Sequence, residues 1–136
     1  KDLKAWLTDD NNTHPLERPA WGLTHMRHPC TIWTNESYDN YVWHWRLGVA
    51  LCHEYTKRYK RQHKAEPVFH WLGQNKPRFM ESKGLTPFAI CMNDEYKVGD
   101  DPVASYRKYY IKDKVRFAKW EPHSTTPKWY KEMLNA

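Results

Sequence analysis

Glu54 and Arg58 stand one helical turn apart in the stretch Glu54-Tyr55-Thr56-Lys57-Arg58, and no other pair in the chain is as well suited to acid–base chemistry. On a helix, side chains at i and i+4 meet on one face. A carboxylate steered by a guanidinium among aromatic groups can act as a general base or as an electrostatic stabiliser. The same spacing also describes an ordinary helix ion pair, worth about 0.2–0.5 kcal/mol. Asn40 and His44 fall on the same column of such a helix. Asn40, His44, Glu54 and Arg58 are therefore the candidate catalytic set.

Other chemistries have less to stand on. His25, His28 and Cys30 lie close in sequence, as do Cys52, His53 and His63, but none matches paired Cys-x-x-Cys, His-Glu-x-x-His or deaminase spacing. No metal and no cofactor are expected. There is no Gly-x-Ser-x-Gly turn for a nucleophile, and the five glycines are too scattered for a phosphate loop.

The element that must carry the acid–base set is a helix from about Asn35 to His63. Tyr38, Tyr41, Val42, Trp45, Val49, Cys52, Tyr55 and Tyr59 recur at three- and four-residue steps, which makes an apolar stripe. Asn35 or Ser37 can cap its start, and Lys57, Arg58, Lys60 and Arg61 suit its negative end. Pro67 allows a short helix over Val68–Leu72, closed by Gly73 and Pro77. Residues 75–101 read as ordered loop. Asp100-Asp101-Pro102 is a helix start, an acidic cap followed by proline at the first position, and that helix is expected to reach about Trp120. A last turn runs from Thr126-Pro127 to Leu134.

The first 35 residues read as an irregular arm, because His14-Pro15, Arg18-Pro19 and His28-Pro29 push each pre-proline residue toward extended conformations. The expectation is an all-α, or mostly α, single domain over residues 1–136. The chain begins at Lys1 rather than Met, which leaves room for a segment upstream.

Composition limits what can fill the core. Leu, Ile, Val and Phe make only 22 of 136 residues, so eight Trp and nine Tyr must supply the buried surface. Tyr38, Tyr41, Trp45, Tyr55, Tyr59, Tyr106 and Tyr110 are the expected core aromatics. No stretch approaches the ~18 apolar residues of a membrane span. Three cysteines suit a reducing compartment better than a disulfide framework, so a cytoplasmic protein without membrane partners is expected.

The net charge is +6, and it is concentrated. Residues 55–64 carry Lys57, Arg58, Lys60, Arg61 and Lys64 with no acid, and residues 102–120 carry six cations against Asp113 alone. Basic helices with interleaved aromatics can neutralise phosphates and stack bases. Arg61, Arg107, Lys108 and Lys114, beside Arg58, are the candidate backbone contacts. Trp43, Tyr109 and Trp120 are the candidate stacking groups.

From His28 onward the chain resembles a family of short proteins found mostly in bacteriophages and some bacteria. The likeness rests on His28-Pro29, Trp33, Ser37, Asn40-Tyr41, Trp43, Glu54-Tyr55, Arg58-Tyr59 and His63. It continues through Leu85-Thr86-Pro87, Asp94-Glu95-Tyr96-Lys97, Asp101-Pro102-Val103, Tyr106-Arg107-Lys108-Tyr109-Tyr110, Lys114, Phe117-Ala118-Lys119-Trp120 and Pro127-Lys128-Trp129-Tyr130. It departs at Lys60, where glycine is usual, and at Asn93, where proline is usual. The closing Pro-x-Trp-Tyr is also similar to pyrimidine-dimer DNA glycosylases of the endonuclease V type, which are small, basic and all-α. The Asp-Lys-His opening of the phage members has no counterpart in Lys1–Met26.

The resemblance and the charge pattern together imply a DNA-interacting, phage-type protein of the host cytoplasm, a glycosylase/lyase-like hydrolase in which Glu54 serves as acid/base. Two alternatives stand beside it. One is a non-enzymatic module that binds a host partner. The other is a small-molecule or metal-dependent enzyme with a pocket around Asn40, His44, Glu54, Arg58 and the 85–96 loop. Oligomeric state is left open.

Overall fold

The computed structural model describes residues 24–136, so the part of the expected 1–35 arm that covers residues 1–23 lies outside the described residues. The described residues are helical and contain no strand, as the all-α expectation requires. None of their helices is long and apolar enough to cross a membrane. The chain divides into two compact units at Thr86–Pro87.

Among the described residues, the first helix of this unit is one that proline spacing alone does not suggest. Helix α1 (Pro29–Glu36) starts on His28, whose extended backbone and ring Nδ1, accepting from the Cys30 amide at 3.1 Å, cap it. The proline that forces His28 to be extended is itself well placed at the first helical position, where its missing N–H costs nothing. His28-Pro29 therefore starts a helix instead of extending the arm.

Ser37 both ends α1 and caps helix α2 (Tyr38–Tyr59). Its extended backbone (φ −152°, ψ 157°) turns the chain, and its Oγ accepts from the Asn40 amide at 3.1 Å. Of the two expected caps, Ser37 is the one used, while Asn35 belongs to α1. Helix α2 ends four residues before His63. Lys60 takes up the left-handed conformation (φ 55°) and closes on the Thr56 carbonyl at 2.8 Å. This is the common helix stop in which glycine is favoured.

Helix α3 (Glu66–Gln74) packs against α2 through two glycines, one on each helix. A Cβ on Gly48 would overlap the Phe69 ring, and a Cβ on Gly73 would sit 2.6 Å from Trp45 Cζ2. Each helix thus offers a gap to an aromatic of the other. Gly73 lies inside α3, so it serves packing and does not end the helix. Trp45 Nε1 donates to the Phe69 carbonyl at 2.7 Å, and the Tyr41 hydroxyl donates to the Leu72 carbonyl at 3.2 Å. Among the described residues of this unit, Trp33, Tyr41, Cys52 and Trp71 form the buried hydrophobic core.

The second unit is built on helix α4 (Pro102–Tyr109), which begins where the Asp-Asp-Pro signal places it. Asp101 caps it by accepting from the Ala104 amide at 2.9 Å. A short 3-10 turn (Asp94–Tyr96) precedes it. The fully buried Ser105 hydroxyl donates to the Asp101 carbonyl at 2.6 Å and accepts from the Val98 amide at 2.8 Å. The helix does not reach Trp120. After Tyr109 it widens into one turn of π-helix (Tyr110–Lys114) and ends in irregular turns. Helix α5 (Lys128–Leu134) closes the chain, with Tyr130 buried and Trp120 and Trp129 against it at ring separations of 4.6 and 5.5 Å.

Two expected core aromatics are on the surface. Tyr59 is 60% exposed and Tyr110 is 40% exposed. Tyr59 belongs to the last turn of α2 and Tyr110 to the first turn past α4, so both lie where a regular stripe runs out.

Candidate functional site

The end of α2 gathers charge and aromatic surface in one place. Glu54 Oε1 accepts from Arg58 Nε at 2.7 Å, as the i,i+4 spacing requires, and both side chains are half-buried. One turn further on, the left-handed Lys60 reverses the chain and returns residues 61–63 toward the helix. Arg61 Nε donates to the Tyr55 hydroxyl at 3.0 Å, with its guanidinium 5.8 Å from the ring centre. His63 meets the same ring edge-on at 4.8 Å, and Tyr59 lies tilted against it at 4.7 Å.

The result is an exposed Tyr59 beside a Tyr55–His63–Arg61 cluster, within a segment that holds five cations and no acid. Among the described residues, no carboxylate forms an ion pair with Arg61.

Asn40 and His44 do not join Glu54. They precede it by fourteen and ten residues on α2, which is about 21 and 15 Å along the axis at 1.5 Å per residue. Asn40 is fully buried, and its amide is committed to the scaffold. Its Nδ2 donates to the Trp33 carbonyl and to Thr86 Oγ1, both at 2.8 Å, while its Oδ1 accepts from the Thr86 amide at 3.1 Å. Asn40 is the clamp that fixes the 81–86 loop to the start of α2.

His44 lies in another setting. Its Nδ1 is 2.6 Å from Thr34 Oγ1, which is also 2.6 Å from the Cys30 carbonyl. A carbonyl can only accept, so the threonine hydroxyl proton goes to Cys30. The threonine oxygen then accepts from His44 Nδ1–H, and the lone pair of the ring is left on Nε2. One edge of the residue stays open to solvent, yet loss of water around the ring lowers its pKa below the ordinary imidazole value. The ring helps to line a pocket of about 360 Å³ together with Thr34, Trp45, Leu47, Gly48 and Phe69. Thr34 and Phe69 carry no signal in the sequence as site residues, because neither lies on the α2 column.

The remaining candidates divide by what already holds them. Trp43 is 39% exposed and packs edge-on against Trp33 at 5.7 Å. In the second unit, the Arg107 guanidinium sits 5.3 Å above the Trp129 ring. Lys108 Nζ donates to the Glu95 carbonyl at 2.6 Å. Lys114 Nζ pairs with Asp113 at 3.0 Å and lies 4.6 Å from the Tyr109 ring centre. Hydrogen bonds to Tyr109 and Asp113 raise its pKa and hold the ammonium in place. Tyr109 therefore has one face covered by Lys114, and half-buried Trp120 is tilted onto Tyr130. Of the seven nucleic-acid candidates, Arg61 and Arg107 best combine exposure with an aromatic support.

No protein-family model, curated protein or solved structure matches the chain.

Proposed function

We propose that this chain binds nucleic acid, with DNA as the expected partner, through the basic and aromatic end of α2. The observation that carries this reading is the exposed Tyr59 set beside the Arg61–Tyr55–His63 cluster. A tyrosine face open to solvent can take a stacked base, and Lys57, Lys60, Arg61 and Lys64 can neutralise the neighbouring phosphates. Tyr59 replaces Trp43, Tyr109 and Trp120 as the first stacking group, because it is 60% exposed whereas Trp43 is 39% exposed and Tyr109 and Trp120 are half-buried.

A glycosylase/lyase-like reaction extends the reading. Glu54, held by Arg58 one turn before Tyr59, is the carboxylate nearest in sequence to this surface and would supply acid/base catalysis to a nucleotide bound there. The test is strand cleavage on duplexes carrying a pyrimidine dimer or an abasic site, comparing wild type with Glu54→Gln. Turnover lost in the variant, with binding retained, supports the catalytic half. Wild-type protein that binds but never cleaves removes that half and leaves the binding half standing.

The pocket beside His44 favours a second reading, a small-molecule site. Its walls are mostly apolar, with a neutral imidazole held by Thr34 as the polar group, a common plan for ligand sites. Thermal-shift screening of small apolar and amphipathic compounds, with His44→Ala as control, tests it. A hit that stabilises both proteins equally would place the ligand elsewhere.

A further inference from the structure

Glu66 opens α3 with its side chain only 12% exposed, in the crevice facing α2. Two imidazoles face one of its oxygens. His70 Nε2, one turn further along α3, is 3.7 Å from Glu66 Oε1, and His53 Nε2, from α2, is 4.0 Å from the same atom.

Those separations are too long for hydrogen bonds. They are close to the spacing of donors around one ion, since arms of about 2.0–2.2 Å at tetrahedral angles set neighbouring donors about 3.4 Å apart. We propose that His53, Glu66 and His70 form a binding site for a divalent transition-metal ion of the zinc type, bridging α2 and α3.

Two neutral imidazoles and one carboxylate suit zinc, cobalt, nickel or copper, whereas calcium and magnesium require a shell of oxygens. The two histidine nitrogens themselves lie more than 4.8 Å apart, so the imidazoles, 66% and 56% exposed, must turn toward each other to close the triangle around an ion. Three protein ligands leave a solvent-facing position for water. With Glu66 and His70 on one helix and His53 on the other, a bound ion would tie the two helices together. This site is independent of the nucleic-acid surface at Tyr59.

The test uses the full chain with Co²⁺ alone, followed by visible absorption, and with Zn²⁺ in competition with a chromophoric chelator. Wild type should bind one equivalent that His53→Ala, His70→Ala and Glu66→Gln each weaken. The loss should exceed the roughly 10–100-fold that even outer-shell partners command. Because metal ligands must be deprotonated, affinity should also fall on acidification. Circular dichroism confirms that the variants are folded, which is expected for the exposed histidines. Absence of wild-type binding at millimolar metal, or binding unchanged in the His53→Ala/His70→Ala double variant, overturns the site.

Discussion

Arg61 Nε donates to the Tyr55 hydroxyl at 3.0 Å, six residues back along the chain, and this bond is possible because Lys60 between them is left-handed. The reversal places Arg61 and His63 on one aromatic ring and leaves Tyr59 facing solvent. Local backbone geometry thus sets the form of the basic surface. The consequences for stability and binding can be measured one residue at a time.

Lys60→Gly should stabilise the protein. A residue with a Cβ costs about 1–2 kcal/mol in the left-handed region, and glycine removes most of that. Part of the gain is offset by the greater freedom of glycine in the unfolded chain. The expected net change is about 1 kcal/mol in favour of the fold, read by urea titration. A loss of stability would mean that the lysine side chain contributes more than its backbone costs.

Gly48→Ala should destabilise, against the usual helix trend. Alanine in a helix interior gains about 1 kcal/mol over glycine. Here the added Cβ would overlap the Phe69 ring, and overpacking of this kind costs about 1–3 kcal/mol. Chemical denaturation of the variant decides the sign, and a more stable Gly48→Ala would show that α3 can shift away.

Asn40→Ala should be among the costliest single changes in the first unit. It strips partners from the Trp33 carbonyl and from both the amide and the hydroxyl of Thr86. Each unsatisfied buried group costs about 1–3 kcal/mol, so a loss on the order of 3 kcal/mol is expected. Proteolysis in the 81–86 loop should rise in parallel. An unchanged denaturation midpoint would remove Asn40 from its role as clamp.

Acid should weaken the same region through Asp39. The Ser82 hydroxyl, and with smaller weight the Gly84 amide, hold its carboxyl below the usual value of 3.8, against an opposing effect of burial. A depressed folded-state pKa means that stability is present above the unfolded value and lost as pH falls through the folded one. Asp39→Asn should therefore show a shallower loss of stability below about pH 4 than wild type. Equal acid slopes for the two proteins would contradict this.

Periodicity was enough to place α2, because tyrosine, tryptophan and cysteine mark a long buried face, and Asp101-Pro102 was enough to place α4. Periodicity could not say where the cover over that face ends, which is why Tyr59 and Tyr110 were expected inside. Proline misled at position 29, since the same residue that extends His28 also begins a helix. The turn of π-helix after Tyr109 has no pattern of its own in the sequence, so α4 was read as too long. Column membership on α2 grouped Asn40 and His44 with Glu54. Distance along the axis separates them. The His53–Glu66–His70 cluster was invisible for the opposite reason, since its members come from two helices and meet only when α2 and α3 pack.

The most direct test of the nucleic-acid reading is the salt dependence of binding to a labelled single-stranded oligonucleotide, measured for wild type, Arg61→Ala and Tyr59→Ala. The logarithm of affinity should fall linearly with the logarithm of salt concentration, by about 0.7 for each phosphate neutralised on a single strand, and Arg61→Ala should reduce that slope by about one contact. Tyr59→Ala should weaken binding about tenfold without changing the slope, because stacking contributes about 1–3 kcal/mol per base and involves no counterions. A flat salt response in wild type, or affinity unaffected by both substitutions, would contradict the account.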